Sequence, residues 1–253
     1  MTWSPTNKTT ALSVATGCMN RASSLRQTLP SWLACPEVDE VVVVDWSSQV
    51  PIHQELHDLN DPRILHVRVE GQAHWCAARC HNVEIHASSS EALLRIDSDI
   101  RLRPEFFSKH PLQPNIFWNA EWKNSGKIPG NNGDDVHLNG TIYTRRANFL
   151  RVNGYNEWLR SYGYEDDDIY NRLLAAGIVR AHIRRDLLEH LPHDVASRLV
   201  HIDRNFLTSG LPIDGIALNL KIAQEHPWTP ADHLALWNVE HVNDKFWIYT
   251  QKT

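Results

Sequence analysis

The first hundred residues alternate two hydrophobic rhythms. Glu40-Val41-Val42-Val43-Val44-Asp45 is apolar at every inner position, which is how a strand covered on both faces of a parallel sheet reads. Ala11 to Ala15 is a shorter apolar run ending at Thr16-Gly17, and Ile64 to Val69 is another. Ala92 to Ile96 is a further strand that runs straight into Asp97-Ser98-Asp99. Between these runs the period lengthens. Leu25, Leu29, Trp32 and Leu33 fall at i, i+4, i+7 and i+8, and Cys76, Cys80, Val83 and Ala87 follow helical spacing too, so both stretches predict helices with one apolar face. Pro30 is expected to kink or shorten the first of them. Strands alternating with helices imply right-handed crossovers and a mostly parallel sheet, hence an α/β fold.

The second half is less regular. Asn115 to Asn139 contains Trp118, Trp122, several Asn and Gly, and Asp134-Asp135. It reads as an irregular insertion or long loop, a length at which loops are usually functional or disordered. Gly140 to Tyr143 predicts a short strand and Arg145 to Arg151 a short helix. Glu165 to Ala176 predicts a helix with an acidic first turn and Gly177 just past its end. The tail, Arg198 to Thr253, has no low-complexity tract, and its Trp228, Trp237 and Trp247 predict that it folds and packs. With no internal repeat and no linker, one domain is the expectation.

Composition narrows the function classes. A chain of 253 residues can bury a full α/β core. The net charge of −5 gives no support to a dedicated nucleic-acid binder, which is usually basic, although a nucleic-acid acceptor stays admissible. No run approaches the roughly 18 apolar residues of a membrane span, and Met1 to Thr10 lacks the apolar core of a signal peptide. The expected location is therefore cytoplasmic. Cys76 and Cys80 sit beside His74 and His81, but their spacing matches no common zinc pattern, and thiols on the buried face of a helix explain them better.

Ligands of open α/β sheets bind at the carboxyl ends of the strands. Thr16-Gly17, Asp45 and Asp97-Ser98-Asp99 all lie at predicted strand ends. Two carboxylates one residue apart at the end of a buried strand repel unless a cation sits between them. Oxygen ligands of this kind suit Mg²⁺ or Mn²⁺, with diphosphate oxygens filling the remaining positions. A second group runs from Gly154-Tyr155-Asn156-Glu157-Trp158 to Gly163-Tyr164-Glu165-Asp166-Asp167-Asp168. Acids at a helix start are favoured by the helix dipole. That does not account for the glycines and aromatics ahead of them. A sugar acceptor needs such a pair: a platform for its ring and a base for its hydroxyl.

Taken together, Asp97-Ser98-Asp99, Gly154-Tyr155 and Tyr164-Glu165-Asp166-Asp167-Asp168-Ile169-Tyr170-Asn171-Arg172-Leu173 resemble the inverting glycosyltransferases of GT-A fold. The likeness is to the β-1,4-galactosyltransferase and chondroitin-polymerase type, related to family 2. It covers roughly Thr10 to Asp194. It implies a nucleotide-binding half over about residues 10–100, an acceptor and catalytic half over about 101–197, and a C-terminal extension over 198–253. Ser13 to Arg21 looks like the family's first strand and nucleotide loop, with Thr16, Gly17, Asn20 and Arg21 toward the donor. Asp45 looks like the aspartate that contacts uracil or ribose. Ala78-Arg79 followed by Asn82 looks like the helix that shapes the nucleotide pocket. Asp97, Ser98, Gly140 and Tyr164 complete the implied donor site. Asp99 looks like the metal ligand and Asp97 its partner near the ribose and metal. Asp166 looks like the general base, and Glu165 would hold acceptor hydroxyls. His190 stands where the family places a histidine metal ligand, with His193 as the second choice.

The resemblance thus implies a single in-line displacement with inversion, Mn²⁺ or Mg²⁺ as cofactor and a UDP-sugar as donor. UDP-galactose, UDP-N-acetylgalactosamine, UDP-glucose and UDP-glucuronate stand equally, as do glycan and other hydroxyl acceptors. Two departures matter. Trp46-Ser47-Ser48 follows Asp45 where the family more often has an acidic Gly-Ser turn, and Tyr162 and Tyr164 stand where galactosyltransferases have a tryptophan-glycine pair. A protein of the same fold that binds nucleotide sugar or carbohydrate without turnover is the rival reading. A metal-dependent hydrolase is disfavoured, since no His-Glu-x-x-His helix is present.

Overall fold

A computed structural model describes residues 11–121, 138–192 and 200–252. His193 and Asp134-Asp135 lie outside these residues. In chain order the elements are β1 (Leu12–Cys18), α1 (Ala22–Leu33), β2 (Glu40–Trp46), α2 (Ile52–Glu55), β3 (Ile64–Glu70) and α3 (Ala77–Ala87). Then come β4 (Ala92–Arg95), β5 (Ile100–Leu102), α4 (Phe106–Lys109), β6 (Ile116–Asn119), β7 (Ile142–Arg145) and α5 (Arg146–Arg151). The chain continues through α6 (Glu165–Ala175), β8 (Val179–His182), β9 (Leu188–His190), α7 (Pro212–Glu225), β10 (Trp237–Asn243) and β11 (Phe246–Gln251).

Nine strands form one sheet in the order β10-β11-β3-β2-β1-β4-β7-β6-β8. Only β7 and β10 run against the rest, so the sheet is mostly parallel. Strand alternation assigns the side chains to two cores. Val41 and Val43 of β2 join Leu25, Leu29 and Trp32 of α1 on one face. Val42 and Val44 join Val83 and Ile85 of α3 and Ile169 of α6 on the other. All four valines have no solvent exposure, and each contributes about 1.5–3 kcal/mol by leaving water. That two-sided burial is why β2 shows no polar alternation.

Most predicted elements are present, with three differences. The first helix runs on past Pro30 to Leu33. Proline removes one N–H, but it falls in the last turn, where Ala34 N still donates to Pro30 O at 3.0 Å. The expected strand at Gly140 to Tyr143 begins two residues later, and Ile116–Asn119, assigned to a loop, is a strand. Its Phe117 is buried beneath the ladder that β6 makes with β7 and β8. The tail does more than pack: β11 adds to β3 in parallel and carries β10 outside it. No helix among the described residues is long and apolar enough to cross a membrane.

Candidate active site

A cavity of about 690 Å³ opens beyond the carboxyl ends of β1 and β4. Gly17, Arg21, Asp97, Ser98, Asp99, Gly140, Tyr164, Glu165, Asp166 and His190 all line it. These residues come from five separate stretches of chain, and most of the site predicted from sequence converges there.

A small second sheet brings two of them together. β5 pairs antiparallel with β9, with Ile100 opposite His190, and Leu191 N donates to Asp99 O at 2.7 Å. His190 Nε2 therefore stands 3.9 Å from Asp99 Oδ1, and both side chains are at most a tenth exposed. Arg21 Nη1 approaches Asp99 Oδ2 at 3.6 Å. Asp97 is more open, and its Oδ1 takes Arg95 Nη2 at 2.8 Å.

The acidic helix start lines the same cavity. Gly163 and Tyr164 both have left-handed backbone, at φ 82° and 73°. Gly163 has a second reason to be glycine, since a Cβ there would meet Ile216 Cγ1 at 2.6 Å. The turn leaves α6 without a side-chain cap and swings its first residues toward the cavity. The four acids then part ways. Asp166 is buried, and Asn139 Nδ2 donates to its Oδ2 at 3.0 Å while its Oδ1 has no hydrogen-bond partner among the described residues. Burial, and then the charge of Glu165, push the Asp166 carboxyl well above the usual carboxylate range. Glu165 is raised as well, again by burial first. Asp168 turns away and takes Nε and Nη2 of Arg172 at 2.9 and 2.7 Å. Asp167 is exposed at the cavity edge.

Four expected donor contacts stand elsewhere. Asp45 is buried, with Oδ1 accepting from Ser48 N at 2.9 Å and Oδ2 from Ile52 N and Arg68 Nη1 at 3.1 and 2.5 Å. It shapes the turn after β2, and it does not line the cavity. Arg79 pairs with Glu157 at 3.8 Å, and Asn82 of the same helix holds Tyr155 N and Tyr155 O at 2.7 and 3.0 Å. That helix therefore braces the segment leading to α6. Thr16 is buried within β1. Asn20 lines a neighbouring cleft of about 380 Å³ that shares Arg21 and His201 with the main cavity.

Sequence reasoning missed several lining residues. Trp75, His81, Arg95 and Asn139 contribute to the walls, as do Ile213 and Ile216 from α7. Arginine in an otherwise apolar strand was a visible signal for Arg95. The α7 contribution had none, because it depends on Asn219 bonding Arg160 N at 2.6 Å and Gly163 O at 2.7 Å across the chain. Cys80, His81 and Glu84 also cluster, with ligand atoms within 4.8 Å of one another. Burial pushes the Cys80 thiol up, away from the thiolate that metals need, and both His81 nitrogens are engaged, by Glu84 and Arg95. In the structure the cluster is a hydrogen-bonded network among Cys80, His81, Glu84 and Arg95.

Seven strands running one way, a carboxylate motif closing β4, and an acidic helix start lining the same cavity define the architecture, and solved structures share it. The chain has the GT-A glycosyltransferase fold. Residues 136–197 match the family model described as the N-terminal domain of galactosyltransferase, and this GT-A segment holds Gly140, the acidic helix start and His190. The catalytic domain of Drosophila β1,4-galactosyltransferase 7, solved with xylobiose, superposes with a TM-score of 0.60 at 15% identity, covering 95% of this chain and 92% of that one. The mannosyltransferase PcManGT from Pyrobaculum calidifontis, solved with GDP-Man and Mn²⁺, gives 0.57 at 15% identity over 88% of this chain and 77% of that one. Staphylococcus aureus TarS residues 1–349 with UDP-GlcNAc gives 0.54 at 17% identity over 72% and 58%. Among curated proteins, none matches this GT-A chain in sequence.

Proposed function

We propose that this chain is a metal-dependent, inverting glycosyltransferase that moves a sugar from a UDP-sugar to an acceptor hydroxyl, with Asp166 as general base. The observation that carries the reading is one cavity lined by two groups: Asp99 with His190, 3.9 Å apart, and the adjacent carboxyls Glu165 and Asp166. The neighbours support it. The Drosophila enzyme has been solved, as a mutant, with manganese, UDP-Gal and xylobiose, and the archaeal mannosyltransferase with GDP-Man and Mn²⁺.

The donor set fits a divalent cation. Asp99 Oδ1 and His190 Nε2 are 3.9 Å apart, about twice the roughly 2.0–2.2 Å of a metal–oxygen or metal–nitrogen contact, so one ion reaches both. A carboxylate with an imidazole suits Mn²⁺ at least as well as Mg²⁺. Such a cation, when bound, neutralises the leaving diphosphate. The residues of the chain do the rest. Asp166 takes the proton of the acceptor hydroxyl, its Oδ1 having no hydrogen-bond partner among the described residues while Asn139 holds Oδ2. Glu165 faces the same space and orients the acceptor. Gly17, Arg21, Asp97, Ser98 and Gly140 receive the donor, and Tyr164 offers a ring beside the acids.

The test is a turnover screen over UDP-galactose, UDP-N-acetylgalactosamine, UDP-glucose and UDP-glucuronate, with and without Mn²⁺, with sugar acceptors present. Metal-dependent release of UDP from one donor is expected, and excess chelator abolishes it. Full activity in chelator overturns the metal assignment. Metal-dependent UDP binding with no turnover of any donor would mark a binding protein in place of an enzyme.

A further inference from the structure

Arg95 is buried at the end of β4, two residues before the Asp97-Ser98-Asp99 motif, and lines the cavity. A guanidinium is protonated throughout the accessible pH range, so Arg95 is a fixed cation. Its guanidinium donates to Gly140 O and to His81 Nε2, both at 2.6 Å, and approaches Glu84 Oε2 at 3.7 Å. With Nε2 accepting, His81 carries its proton on Nδ1 and donates it to Glu84 Oε1 at 2.8 Å. The guanidinium therefore cannot swing away. Its remaining contact is Asp97 Oδ1 at 2.8 Å. Gly140 belongs to the same clamp: a Cβ there would strike Arg95 Nη1 at 2.4 Å and Asp97 Oδ2 at 2.8 Å.

We propose that Arg95 is a positioning residue that withholds Asp97 from the divalent cation. The carboxylate is held at Oδ1 and neutralised by the buried guanidinium, and the oxygen ligand falls to Asp99 alone. This rests on the cation site proposed above. A carboxylate paired to a buried guanidinium binds a second cation weakly, because the two positive charges repel across a poorly screened interior. Asp99 also faces an arginine, but differently. Arg21 is 23% exposed at its side chain and 3.6 Å away, against 6% and 2.8 Å for Arg95. It can yield to a metal where Arg95 cannot. The clamp divides two chemically identical acids into a metal ligand and a carboxylate reserved for the donor's hydroxyl groups.

The experiment is a double-mutant cycle on Mn²⁺ affinity, read by calorimetry or by electron paramagnetic resonance of free Mn²⁺, with the metal alone as probe. Asp97→Asn should change Mn²⁺ affinity little in the wild-type background. Arg95→Met should tighten binding by about tenfold, and Asp97→Asn in that background should remove the gain. A merely structural role for Arg95 would not produce this non-additivity. Because Arg95→Met leaves Glu84 buried beside a lost partner, Arg95→Met/Glu84→Gln repeats the cycle with the charge rebalanced. If neither variant folds, the Asp97→Asn arm alone still decides. Loss of Mn²⁺ binding in Asp97→Asn, with the fold retained, overturns the proposal and leaves the cation site standing. Asp99→Asn and His190→Gln test that site itself. Unchanged Mn²⁺ affinity in both would overturn the cation site and this inference together.

Discussion

Asn139 donates its side-chain amide to Asp166 Oδ2 at 3.0 Å, and the carbonyl of Asn139 accepts the hydroxyl of Tyr170. The Asp166 carboxyl is thus held at one oxygen by a residue that its own helix pins in place. Replacing Asp166 by Asn keeps its size and removes the basic lone pair. Transfer should fall by about 10²–10⁴ while UDP binding survives. A rate above about a tenth of wild type would remove Asp166 from the mechanism.

The same carboxyl gives a pH signature. Its pKa is raised in the fold by burial, so its ionised form is the penalised one. The group therefore lowers stability above its folded pKa, and that cost disappears as pH falls toward the unfolded value of about 3.9. Asp166→Asn should melt higher than wild type at pH 7–8 without ligand, and the two curves should converge near pH 4. A general base must be ionised to act, so if Asp166 is one, wild-type turnover should decline with falling pH earlier than an ordinary aspartate would allow. A variant that melts lower than wild type at pH 8 would restore the helix-dipole account.

Asp168→Asn and Asp167→Asn separate the remaining acids. Asp168 binds Arg172, which in turn donates to Val152 O and Gly154 O at 2.7 Å. Losing that charged acceptor should cost about 1.5–3 kcal/mol in urea unfolding and leave turnover within a few-fold. Asp167 is exposed, and its variant should change stability by less than about 0.5 kcal/mol. Asp167 is the weaker activity control of the two, because it stands at the cavity edge.

Asp45→Ala should act on the fold first. Both carboxylate oxygens are engaged, and the side chains of Asp45 and Arg68 are 5% and 17% exposed. Removing one partner of a buried ion pair typically costs about 3–5 kcal/mol. Chemical denaturation should show a loss of that order, with any weakening of UDP binding following from the displaced turn. An unchanged denaturation midpoint together with weakened UDP binding would return Asp45 to a direct donor contact.

Stability should also respond to His66, half-buried on β3. Burial, and then the neighbouring His53, lower its pKa to about 4. A histidine held neutral in the fold stabilises it above the unfolded pKa of about 6.5, and that contribution is lost as pH falls through the folded value. The wild-type melting temperature should therefore drop between pH 6.5 and 4 more steeply than that of His66→Gln. Parallel curves would show that His66 does not titrate with unfolding.

What the sequence determined by itself was local and periodic. The unbroken valines of β2, the spacing of Leu25, Leu29 and Trp32, and the Gly177 stop after α6 each reflect a rule that acts within a few residues, and each element is there. The acids of the site were legible too, because charges at strand ends and at a helix start are conspicuous against an apolar pattern. Tertiary structure alone decided which partners each of these acids meets. Asp97 and Asp99 are the same residue type two positions apart, yet one faces Arg95 and the other His190. Asp166 and Asp168 differ in the same way, by Asn139 against Arg172. Those partners arrive from distant stretches of chain through the β5–β9 pairing, the turn before β7 and the packing of α7. The role of a carboxylate is set by the charges and donors within a few ångströms of its oxygens, and sequence spacing carries no information about neighbours that only folding brings so close.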